Sequence, residues 1–298
     1  MGRFYRGTGQ FLPVSACAEE CIVGGLEVGM RYNVLVILGV LSGAAVPCYA
    51  ATVDLVPHRA VYSMDLSSTQ SGSGIVGAHG TMSYEFSDAC DGWVVENRLA
   101  IHYAYVEGGE VDTTTDFVTW ESKDGLKYRF RLRNTRDGQV TDEIEGDASL
   151  RGRGQGGNAR YTRPTEMTKS LPKGTLFPTI HTRELVSEAE KGGHLVHRVV
   201  FDGSDTQGAF DVNALIGLPK AIPASVSFPQ LGTPSWPVRL AFFPLQGDEA
   251  EPDFEMSIDY HANGIAQSVT QGFKGFSLAG HLESLESVKR QSCETIAH

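Results

Sequence analysis

Apolar and polar residues alternate one by one along successive stretches of this chain, and that pattern admits few folds. Met82, Tyr84 and Phe86 alternate with Thr81, Ser83 and Glu85, and Leu99, Ile101, Tyr103 and Tyr105 make a second run. Leu126, Tyr128, Phe130 and Leu132 alternate with Lys127, Arg129, Arg131 and Arg133. Phe254, Met256, Ile258 and Tyr260 alternate with Glu255, Ser257, Asp259 and His261. Successive side chains of a strand point to opposite faces, so each run offers one face to a core and one to water. Such half-wet strands favour antiparallel sheet. Asp91-Gly92, Asp124-Gly125, Asp137-Gly138, Asp202-Gly203 and Asn263-Gly264 punctuate the chain, and these pairs tolerate the positive φ of tight hairpins. The chain therefore reads as all-β: a long meander of strands in a barrel-like or strongly curled antiparallel sheet.

One segment breaks the alternation. Thr179 to Lys191 holds strong helix formers and stops at Gly192-Gly193. Thr179, following Pro178, is the expected N-cap. Ile180, Leu185, Val186 and Ala189 give this single main helix an apolar face with which to pack on the sheet and plug its open side. The Gly-rich stretch Gly152 to Gly157 is expected to be either a linker between two half-sheets or a mobile loop.

Met30 to Ala50 has the form of a secretory signal peptide. Arg31 gives a positive start, Val34 to Leu41 an apolar run too short to span a bilayer with ease, and Cys48 and Ala50 the small residues before a cleavage site. Residues 1–29 are then upstream sequence from a misassigned start or an unusually long leader, residues 30–50 the signal, and residues 51–298 a single exported domain. Pro47 argues against a lipoprotein reading of Cys48. Export fixes the meaning of the cysteines. Of the five, Cys17, Cys21 and Cys48 precede the cleavage site, leaving Cys90 and Cys293. Two cysteines in an oxidising compartment read as one disulfide, against free thiols or a bond to another protein. The net charge of −11 belongs to the mature part, because residues 1–50 carry three acidic and three basic groups. An acidic chain of this kind does not hold nucleic acid by neutralising phosphates, and no later segment is apolar and long enough to span a membrane.

Motifs that would name a reaction are weak. His194-x-x-His197 lies in a strand-like context, where the two rings would face opposite ways, so no metal site is assigned. Ser170-x-x-Lys173 matches a bare serine-enzyme pattern, but Pro172 argues for extended chain rather than the helix start that chemistry needs. Acidic pairs such as Asp112 with Asp116 and Glu143 with Glu145, and the group Asp248, Glu249, Glu251 and Asp253, read as solvated positions. No catalytic residue and no cofactor follows. Two side-chain sets remain. Tyr84, Phe86, Tyr103, Tyr105, Tyr128, Phe130, Trp236, Phe242 and Phe243 are expected to line one interior, which is either filled or holds an apolar ligand. Lys127, Arg129, Arg131 and Arg133 form a basic stripe on a wet face, a candidate dock for an acidic partner or anionic glycan.

Several short stretches then carry a family resemblance. They are Pro57-His58-Arg59-Ala60-x-Tyr62, Cys90-Asp91-Gly92-Trp93, Trp120-Glu121-Ser122-x-Asp124-Gly125 and Leu171-Pro172-x-Gly174-Thr175-Leu176-Phe177-Pro178-Thr179-x-His181. Phe201-Asp202-Gly203-Ser204, Asn263-Gly264 and the terminal Cys293 complete the set. Across nearly all of Ala51 to Cys293 the chain resembles the EipB family of cell-envelope integrity proteins of Gram-negative alphaproteobacteria. The resemblance implies a periplasmic β-spiral curled around a helix, similar in shape to the lipoprotein carriers LolA and LolB. It also implies a disulfide at the positions of Cys90 and Cys293, and no enzymatic activity. The expected function is binding an envelope protein or an apolar ligand in support of the envelope. The alternatives are a lipid or lipoprotein carrier, or a hydrolase acting on envelope glycan or peptide. Arg59 and His181 stand in these motifs with no derived purpose beyond a wet strand face and the first turn of the helix.

Overall fold

The computed structural model describes residues 53–245 and 250–293. The expected leader, signal and cleavage site, with Cys17, Cys21 and Cys48, and the loop acids Asp248 and Glu249, lie outside the described residues. Fourteen strands and one α-helix follow in order: β1 (His58–Thr69), β2 (Ile75–Asp88), β3 (Gly92–Tyr105), β4 (Glu110–Ser122), β5 (Lys127–Arg136), β6 (Gln139–Leu150), β7 (Gly157–Arg163), β8 (Met167–Leu171), α1 (Pro178–Glu190), β9 (Leu195–Val200), β10 (Phe210–Ile216), β11 (Ser235–Pro244), β12 (Phe254–His261), β13 (Ala266–Phe273) and β14 (Phe276–Ser287). All fourteen strands join one sheet in the order β8-β7-β6-β5-β4-β3-β2-β1-β14-β13-β12-β11-β10-β9. Every ladder in it is antiparallel. The first strand pairs with the last, so both chain ends meet in the middle of the sheet and the connection carrying α1 links its two edges.

The sheet does not close by pairing β8 to β9. Instead Leu176, between β8 and α1, bridges to β9: its N–H donates to Val199 O at 2.9 Å, and its carbonyl accepts from Phe201 N–H at 3.0 Å. Phe177 and Phe201, flanking that bridge, enter an aromatic cluster with Tyr128, Phe130 and Tyr161 from β5 and β7 (Phe177–Tyr128 ring centres 5.0 Å, Phe201–Phe130 5.4 Å). Rings at these separations gain edge and offset contacts beyond their buried area. The curl is thus held by side chains where backbone pairing stops.

α1 touches all three parts of the core. Leu185 and Ala189 pack in the largest apolar cluster, Val186 joins a smaller one with Val53, Leu55, Phe86 and Trp93, and Phe177 at its start belongs to the aromatic cluster. Thr179 does not cap the helix. The N-cap position is Phe177, without a side-chain hydrogen bond, and Pro178 begins the helix, because its fixed φ suits the first helical position.

The turns differ in their reasons. Asp137 and Gly138 both have positive φ (51° and 75°) at the β5–β6 hairpin, the geometry such a pair favours. At Asp91-Gly92 the positive φ instead belongs to Cys90 (66°), and Gly92 serves close approach: a Cβ there would lie 2.3 Å from Trp120 Nε1. The Gly152–Gly157 stretch is neither linker nor boundary. It is the hairpin between β6 and β7, closed by Arg151 N–H to Gly156 O at 3.1 Å, with Gly157 backbone-to-backbone against Ser149. Phe243 is not interior: it stands opposite Asp211 on the outer face, one residue out of phase with Phe242.

After β14 the chain runs as a strap over the amino-terminal segment. Val288 N–H donates to Pro57 O at 3.1 Å, Arg290 Nη2 meets both Asp54 carboxylate oxygens at 2.7 and 2.8 Å, and Cys293 is disulfide-bonded to Cys90, their Cα atoms 5.6 Å apart. The bond spans a sequence separation of 203, and limiting so long a loop in the unfolded chain is worth up to about 5 kcal/mol. Reductant is therefore expected to lower the urea midpoint of the oxidised protein, and to leave unmoved a Cys90→Ser/Cys293→Ser variant that is already destabilised. Equilibrium urea unfolding checks both.

Candidate functional site

Two of the motifs, at Trp120–Gly125 and Leu171–His181, meet at the start of α1. Glu121, on the inner face of β4 and 1% exposed, accepts the Thr179 N–H at 2.7 Å through Oε2 and the Ile180 N–H at 3.0 Å through Oε1. The first turn of a helix leaves its N–H groups without intrahelical partners and carries partial positive charge, which a carboxylate complements. A residue from a distant strand thus does the work expected of Thr179. Three residues beyond β4, the β4–β5 turn carries Gly125 at φ 71°, directly under Ile180: a Cβ there would lie 2.5 Å from Ile180 Cγ1. The Trp-Glu-Ser-x-Asp-Gly and Phe-Pro-Thr-x-His stretches are two halves of one clamp.

The neighbouring turn joins it. Asp91 Oδ1 accepts Trp120 Nε1–H at 3.3 Å, and Asp91 O accepts Lys123 N–H at 3.1 Å. Lys123 Nζ sits 2.9 Å from the Trp93 ring centre and 2.7 Å from Asp88 Oδ1. The disulfide and the strap lie on the same turn through Cys90. Gly203 of the Phe-Asp-Gly-Ser stretch has φ 72°, and a Cβ on it would lie 2.4 Å from the Phe130 ring. These motifs hold backbone and helix in place, and no nucleophile–base pair assembles among them.

The outer face of β5 offers a different surface. In register, Arg133 stands opposite Glu143, Arg131 opposite Glu145, Arg129 opposite Asp147 and Lys127 opposite Ser149. The basic stripe thus runs beside an acidic one. Arg133 Nε lies 3.6 Å from Glu143, while Arg163 of β7 draws off both Glu143 and Glu145. Arg129 and Arg131 make no ion pair among the described residues. Arg129 is stacked on Trp120, its guanidinium carbon 4.7 Å from the ring centre, so an aromatic face holds the cation where a carboxylate does not. A groove of about 750 Å³ opens here, lined by Val94, Val118, Trp120, Arg129, Arg131 and Asp147. Two unpaired guanidinium groups beside exposed Val118 can grip a carboxylate or phosphate that carries an apolar flank.

A family model described as EipB-like matches residues 49–289. The chain belongs to the EipB-like family. It is 32% identical over 246 residues to the cell envelope integrity protein EipB of Brucella abortus (strain 2308), covering 80% of this chain and 86% of that protein. It is also similar to the crystal structure of a β-barrel-like protein of domain of unknown function DUF1849 from Brucella abortus, with TM-score 0.74 and 30% identity over 80% of this chain and all of that one. The spiral around one helix is therefore the family's fold.

The other residues singled out in this EipB-like chain do not converge. His194 Nδ1 lies 3.1 Å from Ile216 O, and His197 pairs with Asp211. Ser170 is in edge strand β8, opposite Asn158. Arg59 is exposed and paired with Glu85 at 2.6 Å. His181 is buried in the first turn of α1, its Nε2 without a partner, and burial, aided by the Arg198 charge, pushes it down to about 4. Inside, Tyr128, Phe130, Phe86 and Trp236 are buried, while Tyr103 and Phe242 are half-buried members of a ring succession Phe210–Phe242–Phe254–Phe273–Phe276–Tyr103 with steps of 5.0–6.1 Å. Sequence reasoning missed Glu121 as a cap, because its partners lie across the fold. It also missed His79 and His102, which only strand register brings together.

Burial raises Glu121 to about 7, against the hydrogen bonds from Thr179 and Ile180 and the Arg183 charge, which act to lower it. The folded chain thus keeps a proton there that the unfolded chain has released. The site's contribution to stability is full below about pH 4.5 and is lost as pH rises through about 7. His58 and His181, whose burial lowers them, act oppositely, losing stability as pH falls below about 6.5. Comparison with Glu121→Gln isolates the carboxyl. Wild-type stability relative to that variant is expected to rise by up to about 3 kcal/mol from pH 8 to pH 5, read by chemical unfolding at each pH.

Proposed function

We propose that this protein works in the periplasm as a non-enzymatic support of the cell envelope, by holding an acidic envelope component in the groove of β4, β5 and β6. The observation that carries this reading is the pair Arg129 and Arg131, left without carboxylate partners beside Trp120. Cations relieved of their neighbours retain their charge for an incoming anion, and a guanidinium stacked on a ring loses little freedom when it binds. The relative's name, cell envelope integrity protein, supports the compartment and role. The apparent signal at residues 30–50 and the disulfide between Cys90 and Cys293 agree with export into an oxidising space.

A second reading rests on the ring succession that runs from buried Phe210 through half-buried Phe242 to Tyr103 beside the main core, which suits an apolar ligand. Native mass spectrometry of gently purified protein separates the two, since retained lipid would favour the second.

Both arginines are exposed, and Arg129→Glu/Arg131→Glu sets each new carboxylate opposite Asp147 or Glu145, so a loss of about 1–2 kcal/mol is expected, short of unfolding the chain. In a strain lacking the wild-type gene, the variant is expected to accumulate normally yet fail to restore resistance to envelope stress. Full restoration would overturn the reading.

A further inference from the structure

Four strands place a row of ionisable side chains together on the outer face. Asp65 of β1 stands opposite His79 of β2, His79 opposite His102 of β3, and His102 opposite Asp112 of β4. The two imidazole centres are 5.0 Å apart, their planes inclined at 45°. His102 Nδ1 lies 2.9 Å from Asp112 Oδ1, and its Nε2 3.8 Å from Glu110. A cleft of about 340 Å³ opens over the pair, lined by His79, His102, Asp112 and Thr113. Beside it Gly80 keeps β2 and β3 close, since a Cβ there would lie 2.0 Å from Ala100 O.

We propose that His79 and His102, with Asp112 beside them, chelate a divalent transition-metal ion of the zinc class. Directly opposed residues on neighbouring strands hold their Cβ atoms about 4.5–5.5 Å apart, and a zinc–imidazole bond is about 2.0–2.1 Å. One ion can therefore sit between the two rings after side-chain rotation alone. Among the described residues no three donors already converge: His102 is turned toward Asp112, and the ion takes its place in that contact. Asp112 then acts as a third ligand or as the acceptor that orients the His102 ring. Asp65, on the far side of His79, is placed to do the same for that ring. Imidazole favours zinc, copper and nickel over calcium or magnesium, and a chain of net charge −11 attracts cations. An ion held here cross-links β2 to β3 toward the other end of β3 and β4 from the Arg129–Arg131 groove.

Isothermal titration of the tag-free, oxidised protein with Zn²⁺ tests this. One ion per chain is expected. His79→Gln and His102→Gln should each weaken binding at least about tenfold, with Asp112→Asn weakening it less. Thermal midpoint supplies a second readout: Zn²⁺ should raise it in the wild type and not in the doubly substituted chain. Midpoints without metal, expected to stay close to the wild type, check that substitutions at exposed His79 and half-buried His102 leave the fold intact. Absence of binding heat, or Zn²⁺ binding unchanged in the double variant, would overturn the proposal, the latter moving the ion to other histidines such as His194 and His197.

Discussion

The contact between the Glu121 carboxyl group and the first N–H groups of α1 is the constraint on which the rest of the molecule depends. A buried carboxyl is costly unless its oxygens are matched, and the helix start supplies two N–H groups for them. The contact crosses the interior from the middle of the sheet to the connection between its edges. Once α1 is seated, Leu185, Val186 and Ala189 fall into the core, Phe177 enters the aromatic cluster, and Leu176 lies against β9. A sheet of fourteen strands with two free edges is thereby given a defined curl without the hydrogen-bonded closure of a barrel.

The chain ends provide a second tie. Pairing β1 with β14 puts the start of β1 and the end of β14 on the side of the turn that carries Cys90, and the strap of residues 288–293 covers the segment that contributes Val53 and Leu55 to the core. Disulfide and clamp meet on adjacent turns, linked through Asp91 and Lys123. The stretches of this chain that carry the family resemblance at Cys90–Trp93, Trp120–Gly125 and Phe177–His181 are therefore concentrated where the sheet needs holding. The surfaces free for binding, the Arg129–Arg131 groove and the His79–His102 row, lie on strands whose outer residues no packing dictates.

Much of the fold was legible because strand periodicity is local. The runs at Met82–Phe86, Leu126–Arg133 and Phe254–His261 each became a strand, and the helix was displaced by only one residue at each end. What failed was non-local. Thr179 looks like a cap, yet the cap comes from Glu121, 58 positions away. Phe243 looks like part of an interior set, but the phase of β11 turns it outward. The basic stripe was visible in sequence, whereas the acids opposite it and the theft of two of them by Arg163 depend on register across β5, β6 and β7. The disulfide was readable from an expected compartment and a count, because only two cysteines lie past residue 50.

Hydrogen exchange on Glu121→Ala, compared with the wild type at pH 5, tests the clamp most directly. Removing the carboxyl group should strip protection from the amides of α1, β9 and Phe201, while β1–β4 and β12–β14 stay as slow as before. Unchanged protection in α1, or an equal loss throughout the sheet, would contradict the claim that this contact seats the helix and sets the curl.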